Sequence, residues 1–378
     1  MALPPASADL VLTHPDPSEL HSLVASTADE WKGALTSSQY IQHCIELVSL
    51  DSDPGYEGLQ HADWILVDGS LPLQSRAILS LCETFRKRVL IRRGRGVVEE
   101  KVIYGIASVF TAPEFRGRGY AKLMLRLLAE RFEVEGCVGT VIFSDIGKGF
   151  YSDLGWEVVE GNRHLDFPVM GENPPAKTGP REATPLLQGD MQQLCEADEA
   201  ILKKSITVGE GVKTKMMIVP DIKHMAWHHM REDFICQRLS RKAPEVRGAI
   251  SGSLGKRVWI IWARKCDSKP SDAEQGNMLY ILRLALEKQD VVEPHEREEL
   301  KENLKAVIES ARKEAKEWKL SVVRFWDPSP LVIQLVKEMG LDYLETERED
   351  DGIAILRLND GECEGELGWL ANERYAWC

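Results

Sequence analysis

The 378-residue sequence has no C-x-x-C pair, no apolar run near the length of a membrane span and no charged-then-apolar leader at its start. Its eight cysteines (Cys44, Cys82, Cys137, Cys195, Cys236, Cys266, Cys363, Cys378) are scattered, so neither a zinc ribbon nor a disulfide framework is expected and they read as reduced thiols. The opening MALPPASADL lacks the basic and apolar regions of a secretory signal, which makes the cytoplasm the expected compartment and leaves no role for a membrane. Positive charge is also in deficit, with 47 Lys and Arg against 60 Asp and Glu and a net charge of −13. Phosphates are repelled at long range by such a chain, so nucleic acid is not an expected partner. A cationic substrate is mildly favoured, although solubility alone accounts for the sign.

What is present is the composition of an ordinary globular protein, 43% hydrophobic and 28% charged, in a chain too long for one core. Two domains are expected. Glu19 to Thr27 and Ser37 to Leu50 have helical spacing, and Trp64 to Asp68, Ala77 to Arg93 and Val102 to Thr111 read as strands. Ala121, Met124, Leu125, Leu128 and Phe132 recur at 3.6-residue spacing and predict an amphipathic helix. Gly139 to Ser144 then reads as a strand, Lys148 to Leu154 as a short helix and Trp156 to Glu160 as a strand. Pro168, Pro174, Pro175 and Pro180 mark a linker, which divides the chain into residues 1–170, a connection over 171–185, and 186–378. Beyond it, Ala226 to Leu239 reads as a helix, Val258 to Ala263 and Leu279 to Leu286 as strands, and Arg297 to Lys319 as a long helix. Leu320 to Trp326, Leu331 to Met339, Leu341 to Arg348 and Gly352 to Leu358 read as strand, helix, strand and strand. That order repeats the first half and predicts a mixed α/β fold in both.

Two motifs carry chemistry. Arg116 to Ala121 reads R-G-R-G-Y-A between a buried strand and a helix, where unpaired backbone N–H groups and the positive end of the helix dipole can hold a pyrophosphate. Gly117 and Gly119 let the backbone come close, and Arg116 and Arg118 add charge; a glycine turn with solvated arginines is the plainer reading of these six residues alone. Phe150 to Trp156 reads F-Y-S-D-L-G-W, in which Phe150, Leu154 and Trp156 can face the core while Tyr151 offers a hydroxyl to a departing thiolate.

R-x-x-G-x-A after a strand, followed by F-Y-x-x-L-G-W, resembles the central motifs of the GNAT acetyltransferases. The resemblance implies a GNAT fold and acetyl-CoA as cosubstrate, with the amides of Arg116, Gly117, Arg118, Gly119, Tyr120 and Ala121 on its pyrophosphate. It also implies a strand Ile106 to Thr111, including Val109, Phe110 and Thr111, alongside the pantetheine arm, amides near Val109 facing the oxyanion, and Tyr151 as general acid. The runs LCETFRK (Leu81 to Lys87), YGIASVFTAPEFRGRGYA (Tyr104 to Ala121), SDIGKGFYSDLGW (Ser144 to Trp156) and WHHMREDF (Trp227 to Phe234) are similar to the lysine acetyltransferases of fungal lysine catabolism. That narrower likeness implies acetylation of the side-chain amine of free L-lysine, with a polyamine or a protein lysine as the rival acceptor and a coenzyme A-binding regulator without turnover as the rival class.

A lysine amine with a pKa of about 10.4 must shed a proton at neutral pH, at a cost of about 4.6 kcal/mol. Some GNAT enzymes use a glutamate before the cradle, but Gly105 stands at that position here. Three carboxylates are candidate bases, Glu83 first, then Asp145 and the terminal carboxylate of Cys378, with water carrying the proton otherwise. In the later repeat the cradle slot reads EKQDVVEPHE and Val336 replaces the tyrosine, so the second half is expected to be a degenerate GNAT-like domain that closes the amine pocket. The aromatic tail ending at Cys378 is expected to dock. His224, His228 and Glu232 share a helix face at metal-ligand spacing, but the chemistry calls for no metal and packing is the expected role.

Overall fold

The computed structural model describes residues 9–50, 59–169, 181–208, 214–239, 242–266, 276–363 and 365–377. The first half contains β1 (Leu10–Thr13), α1 (Pro17–Trp31), α2 (Ser37–Leu50), β2 (Gln60–Asp68), β3 (Ser80–Arg92), β4 (Glu99–Phe110), α3 (Tyr120–Val134), β5 (Gly139–Ser144), α4 (Gly149–Ser152), β6 (Glu157–Val158) and β7 (Arg163–Pro168). The second contains β8 (Thr184–Leu187), α5 (Met191–Ser205), β9 (Thr214–Ile218), α6 (Ile222–Arg238), β10 (Val246–Ser251), β11 (Val258–Lys265), β12 (Met278–Leu286), α7 (Pro294–Glu317), β13 (Val322–Trp326), α8 (Pro330–Met339), β14 (Leu344–Glu347), β15 (Ile353–Leu358) and β16 (Leu367–Trp369).

Local chemistry explains several of these boundaries. Asp16 caps α1 through a capping box with Glu19, whose carboxylate also takes a two-pronged contact from Arg76 at 2.7 Å. Ser329 caps α8 and Pro330 opens it, while Gly340 closes it in the left-handed conformation.

The strands form two mixed sheets. One runs β1-β2-β3-β4-β5-β15-β6, with β9 beside β3 and β16 beside β9; the other runs β14-β7-β13-β12-β11-β10-β8. The long β3 is the spine of the first. Its beginning pairs with β2, through Asp63 opposite Glu83 and His61 opposite Phe85, and its end, Val89–Arg92, pairs with β9. The halves exchange strands: β7 pairs with β13 and β14, and β15 inserts between β5 and β6. Helix α3 packs one face of the first sheet through Met124, Leu125, Leu128 and Phe132, with α1 and α2 against its opposite face at Ile65, Val67 and Leu81. A further core joins the sheets directly, bringing Val89, Ile91, Ile103 and Val141 together with Trp259, Ile261, Tyr280 and Tyr375.

The mixed α/β architecture is as expected, and β5 has the predicted bounds. Residues 171–180 of the expected linker lie outside the described residues, and its end is already strand, since β8 begins at Thr184. None of the seven described cysteines is in a disulfide.

Candidate active site

Between β4 and α3 the chain makes a tight turn at Pro113–Phe115 and then passes Gly117 and Gly119 at φ 75° and 78°. Gly119 is the N-cap of α3, and a Cβ there would meet open space, so the backbone conformation rather than crowding demands glycine. The first amides of α3, Tyr120 and Ala121, have no partner within the helix. The Arg116 amide differs from the rest of the motif because it already donates to the Pro113 carbonyl at 3.3 Å. Its side chain turns back to the Thr111 carbonyl at 2.9 Å and to Glu30 at 3.2 Å. Arg118 lies over the Phe115 ring with a buried, unpartnered Nη1.

Upstream, β4 is irregular where the chemistry would need it. It pairs with β5 in parallel only at Tyr104, Gly105 and Ile106. Beyond that point Ala107 pairs with Glu83 and Phe110 with Leu81, so β4 carries one extra residue, with Ser108 at φ 53°. Ser108 and Val109 fall between the paired positions, at the place where β4 and β5 part. Phe110 and Thr111 continue from there to the glycine turn.

Tyr151 stands on α4 at this opening, buried with Cys82, Ile106, Phe115 and Tyr120. No described residue hydrogen-bonds its hydroxyl. Burial, with Asp145 and Cys82 adding to it, raises its pKa above the ordinary tyrosine value, so the phenol stays protonated at neutral pH. Asp145, at the end of β5, accepts from the Gly352 amide at 2.8 Å and thereby ties β5 to the turn before β15. Its pKa is raised, chiefly by burial.

Glu83 lies across the sheet from α3, on the bulged side of β3, and accepts from Ser108 Oγ at 3.1 Å. His61, Asp63 and Glu83 bring their ligand atoms within 4.8 Å of one another, a set that could bind an ammonium group or a cation. Burial pushes Asp63 up to about 6. The reason Gly105 has no carboxylate is visible next door, because a Cβ there would lie 2.6 Å from Cε of Lys87. The Lys87 side chain is buried, with Nζ 3.4 Å from Nε2 of His224, whose Nδ1 faces Asp221 at 2.9 Å.

Helix α6 and the tail close this side. Trp227 meets Phe85 edge-on at 5.8 Å and Trp377 at 6.0 Å. Tyr375 is fully buried and donates to the Ile218 carbonyl, and His228 meets the Tyr375 carbonyl. The tail is therefore docked; Cys378, whose carboxylate was a candidate base, lies outside the described residues. His224, His228 and Glu232 each have protein partners, Glu232 holding both Arg247 and Arg264. His61, Asp63 and Lys87 were not singled out from the sequence, although the polar i, i+2 spacing of His61 and Asp63 before Trp64 marks one face of a strand. No helix among the described residues is long and apolar enough to cross a membrane.

Residues 164–378 match the family described as the LYC1 GNAT-like C-terminal domain, and residues 89–156 match the Acetyltransferase (GNAT) family. A Saccharomyces cerevisiae protein described as the uncharacterized protein YGR111W is 25% identical over 390 residues, covering 93% of each chain. A lysine acetyltransferase of Yarrowia lipolytica is 24% identical over 261 residues, covering 57% of this chain and 62% of that one. Among solved structures, a GCN5-related N-acetyltransferase from Kribbella flavida superposes with a TM-score of 0.52 at 14% identity, over 95% of this chain and 73% of that one. The fold is thus a GNAT domain in the N-terminal half followed by a GNAT-like domain, as the sequence predicted.

Proposed function

The chain belongs to the family of the LYC1 GNAT-like C-terminal domain, and on that premise we propose that it transfers the acetyl group of acetyl-CoA to the side-chain amine of free L-lysine, a reaction of lysine catabolism. The acetyltransferase class rests on the GNAT match; the lysine acceptor draws support from the distant Yarrowia relative. The observation that carries the reading is the opening at the Ser108 bulge, which leads from the β4–β5 junction to the glycine-capped start of α3. In this reading the pyrophosphate lies on the amides from Gly117 to Ala121, and the pantetheine arm runs along Val109 to Thr111.

The acceptor approaches from the Glu83 side. Glu83 takes one proton from the ammonium group, with Asp63 and His61 beside it. The freed nitrogen pair attacks the thioester carbonyl carbon, and amides at the bulge near Val109 hold the oxygen as it gains charge. The C–N bond forms, the C–S bond breaks with its electron pair going to sulfur, and Tyr151 gives sulfur its proton. The second proton shed by nitrogen returns to Tyr151 through solvent.

A thiol-release assay over L-lysine, spermidine and a lysine peptide tests this. The highest kcat/KM is expected for L-lysine. If none of these amines gives thiol release while coenzyme A binds in calorimetry, a regulator without turnover is left, and absence of that binding would overturn the whole reading.

A further inference from the structure

Three guanidinium groups line one pocket between α6, strands β11 and β12 and the tail. Its wall includes His228, Arg231, Lys265, Tyr280 and Arg374. Arg264, also there, is neutralised by Glu232 and Glu314. Arg231 and Arg374 are different: among the described residues neither side chain makes a hydrogen bond or an ion pair. Arg374 is only 6% exposed and is walled by rings, with its guanidinium 3.7 Å from the Trp377 centroid, 4.4 Å from Trp326 and 4.5 Å from Tyr280. Arg231 lies 5.6 Å over the other neighbour it shares with Arg374, the Trp377 ring. Burying a charge without a counter-ion costs several kcal/mol, and aromatic faces return only part of that. A buried Arg374 and a half-buried Arg231 over the same ring call for an anion between them.

A row of aromatic contacts links this pocket to the amine site. Trp227, Arg231 and Phe234 occupy one face of α6 at i, i+4 and i+7. Trp227 reaches Phe85, whose ring meets His61 of the Glu83 cluster at 5.1 Å, tilted by 43°. The fields of the groups tell the same story. Burial pushes the Cys44 thiol up to about 12, with Glu83 and Asp63 adding to the rise and Arg231 opposing it. Burial lowers Arg374 and Arg231 lowers it further, while Asp145, beside Tyr151, acts against the fall. The two cations therefore stand within electrostatic reach of both the base and the acid sides of the opening.

We propose that Arg231 and Arg374 together clamp the α-carboxylate of the acceptor, making it an amino acid with a distal amine rather than a polyamine. This rests on the function proposed above and adds to it the groups that read the substrate's backbone. A carboxylate accepts from two guanidinium forks in fixed geometry, whereas a polyamine would bring a second ammonium against two cations. The tail then has a direct role, since Arg374 and Trp377 form one wall of the clamp. It also explains why Trp227 and Phe85 are aromatic, because they bound the stretch that a linear methylene chain would cross.

The test compares L-lysine with cadaverine, the same chain without its carboxylate, by steady-state thiol release. In the wild type kcat/KM is expected to favour L-lysine. In Arg231→Gln the lysine-to-cadaverine ratio should fall roughly 30- to 100-fold, as expected for a lost charge-assisted contact, mainly through KM. Arg231→Lys should restore part of it, and Arg238→Gln, two helix turns farther on, should leave the ratio at the wild-type value. Arg374→Gln should lower the ratio too; because its site is tightly walled, its melting curve is read alongside, and Arg231→Gln decides if it fails to fold. An unchanged ratio in Arg231→Gln, with lysine and cadaverine falling alike, overturns the clamp and leaves the acetyltransferase reading intact; it is also the result expected if the chain's own terminal carboxylate neutralised the pair. A wild type that acetylates neither amine overturns the lysine reading and the clamp with it.

Discussion

The two halves of the molecule build the same opening and use it differently. Each runs from a long strand through a helix to a parallel strand, β4-α3-β5 and β12-α7-β13. In each the parallel ladder stops early, at Ile106 opposite Ile142 and at Ile281 opposite Phe325. In each the first strand then bulges against its antiparallel neighbour, β4 by one residue against β3 and β12 by one against β11. Three residues beyond the last parallel pair stand Val109 and Leu284. The Leu284 amide donates to Glu373 Oε2 at 2.7 Å, so a carboxylate of the tail fills the second opening at the position where the first would present an amide to an oxyanion. The helix starts diverge in the same sense. α3 begins at a glycine cap with open space around it, and α7 begins at Glu293 and Pro294 with Glu296 in its first turn. The fold itself thus supplies an anion receptor at the bulge, and sequence decides whether it is offered to a ligand or occupied permanently.

The comparison is sharpest at the tyrosine. Tyr151→Phe removes the proposed proton donor from the first opening and is expected to lower kcat by roughly 100-fold or more, with coenzyme A binding retained by calorimetry. Val336, buried in the second half's core, has no such role to lose. A rate near wild type in Tyr151→Phe would mean that solvent protonates the thiolate, and the two halves would then differ only in their cradles.

Glu83→Gln comes next. The expected loss is roughly 10- to 100-fold near neutral pH, recovering as pH rises toward the pKa of the amine. Asp63 adds a separate acid limb. Burial pushes its pKa up to about 6 from the ordinary aspartate range, so it takes up a proton as pH falls through 6 and the charge that would attract the ammonium group disappears. Asp63→Asn should remove that limb from the kcat/KM profile. The same shift means that ionised Asp63 is a cost to the fold, so its contribution to stability is largest below about 4 and is lost as pH rises through 6.

A smaller effect distinguishes the glycines. Gly119→Ala places a Cβ at φ 78°, a strain of about 1–2 kcal/mol, and weakens coenzyme A binding up to roughly 10-fold as the cap shifts. Gly340→Ala, at φ 65° at the end of α8, should cost similar stability and leave that binding unchanged. Equal losses of affinity in both would show that the effect is global rather than local to the cradle.

Much of this was legible in the sequence where structure is local. Helix α3 has a five-residue apolar stripe, β5 is a short β-branched run, and the glycines of the cradle carry their own geometry. The strand exchange was not legible, since β7 and β15 pair with partners far away in the chain and no spacing records that. Within the site, Glu83 was found from its position on β3, but its neighbours were missed because the strand was read from Trp64, four residues after β2 begins. Gly105 marked the missing base without revealing that the Lys87 stem fills the space. Arg231 and Arg374 are far apart in the chain and come together over Trp377.

The smallest expected effect on catalysis lies in the plug. Arg283 is buried between Asp198, which it meets through two contacts at 2.7 and 2.9 Å, and Glu373, which also takes the Leu284 amide. Glu373→Gln keeps the shape, leaves Arg283 one carboxylate and gives up one charge-assisted partner, so a loss of about 1–3 kcal/mol is expected in thermal unfolding. Acetyl transfer should persist, because neither the cradle nor the Ser108 bulge touches this pair. Nor should a second coenzyme A site appear, since α7 offers acids where α3 offers free amides. Two bound equivalents in calorimetry would show that Glu373 alone, and not the sequence of the whole second cradle, separates the halves.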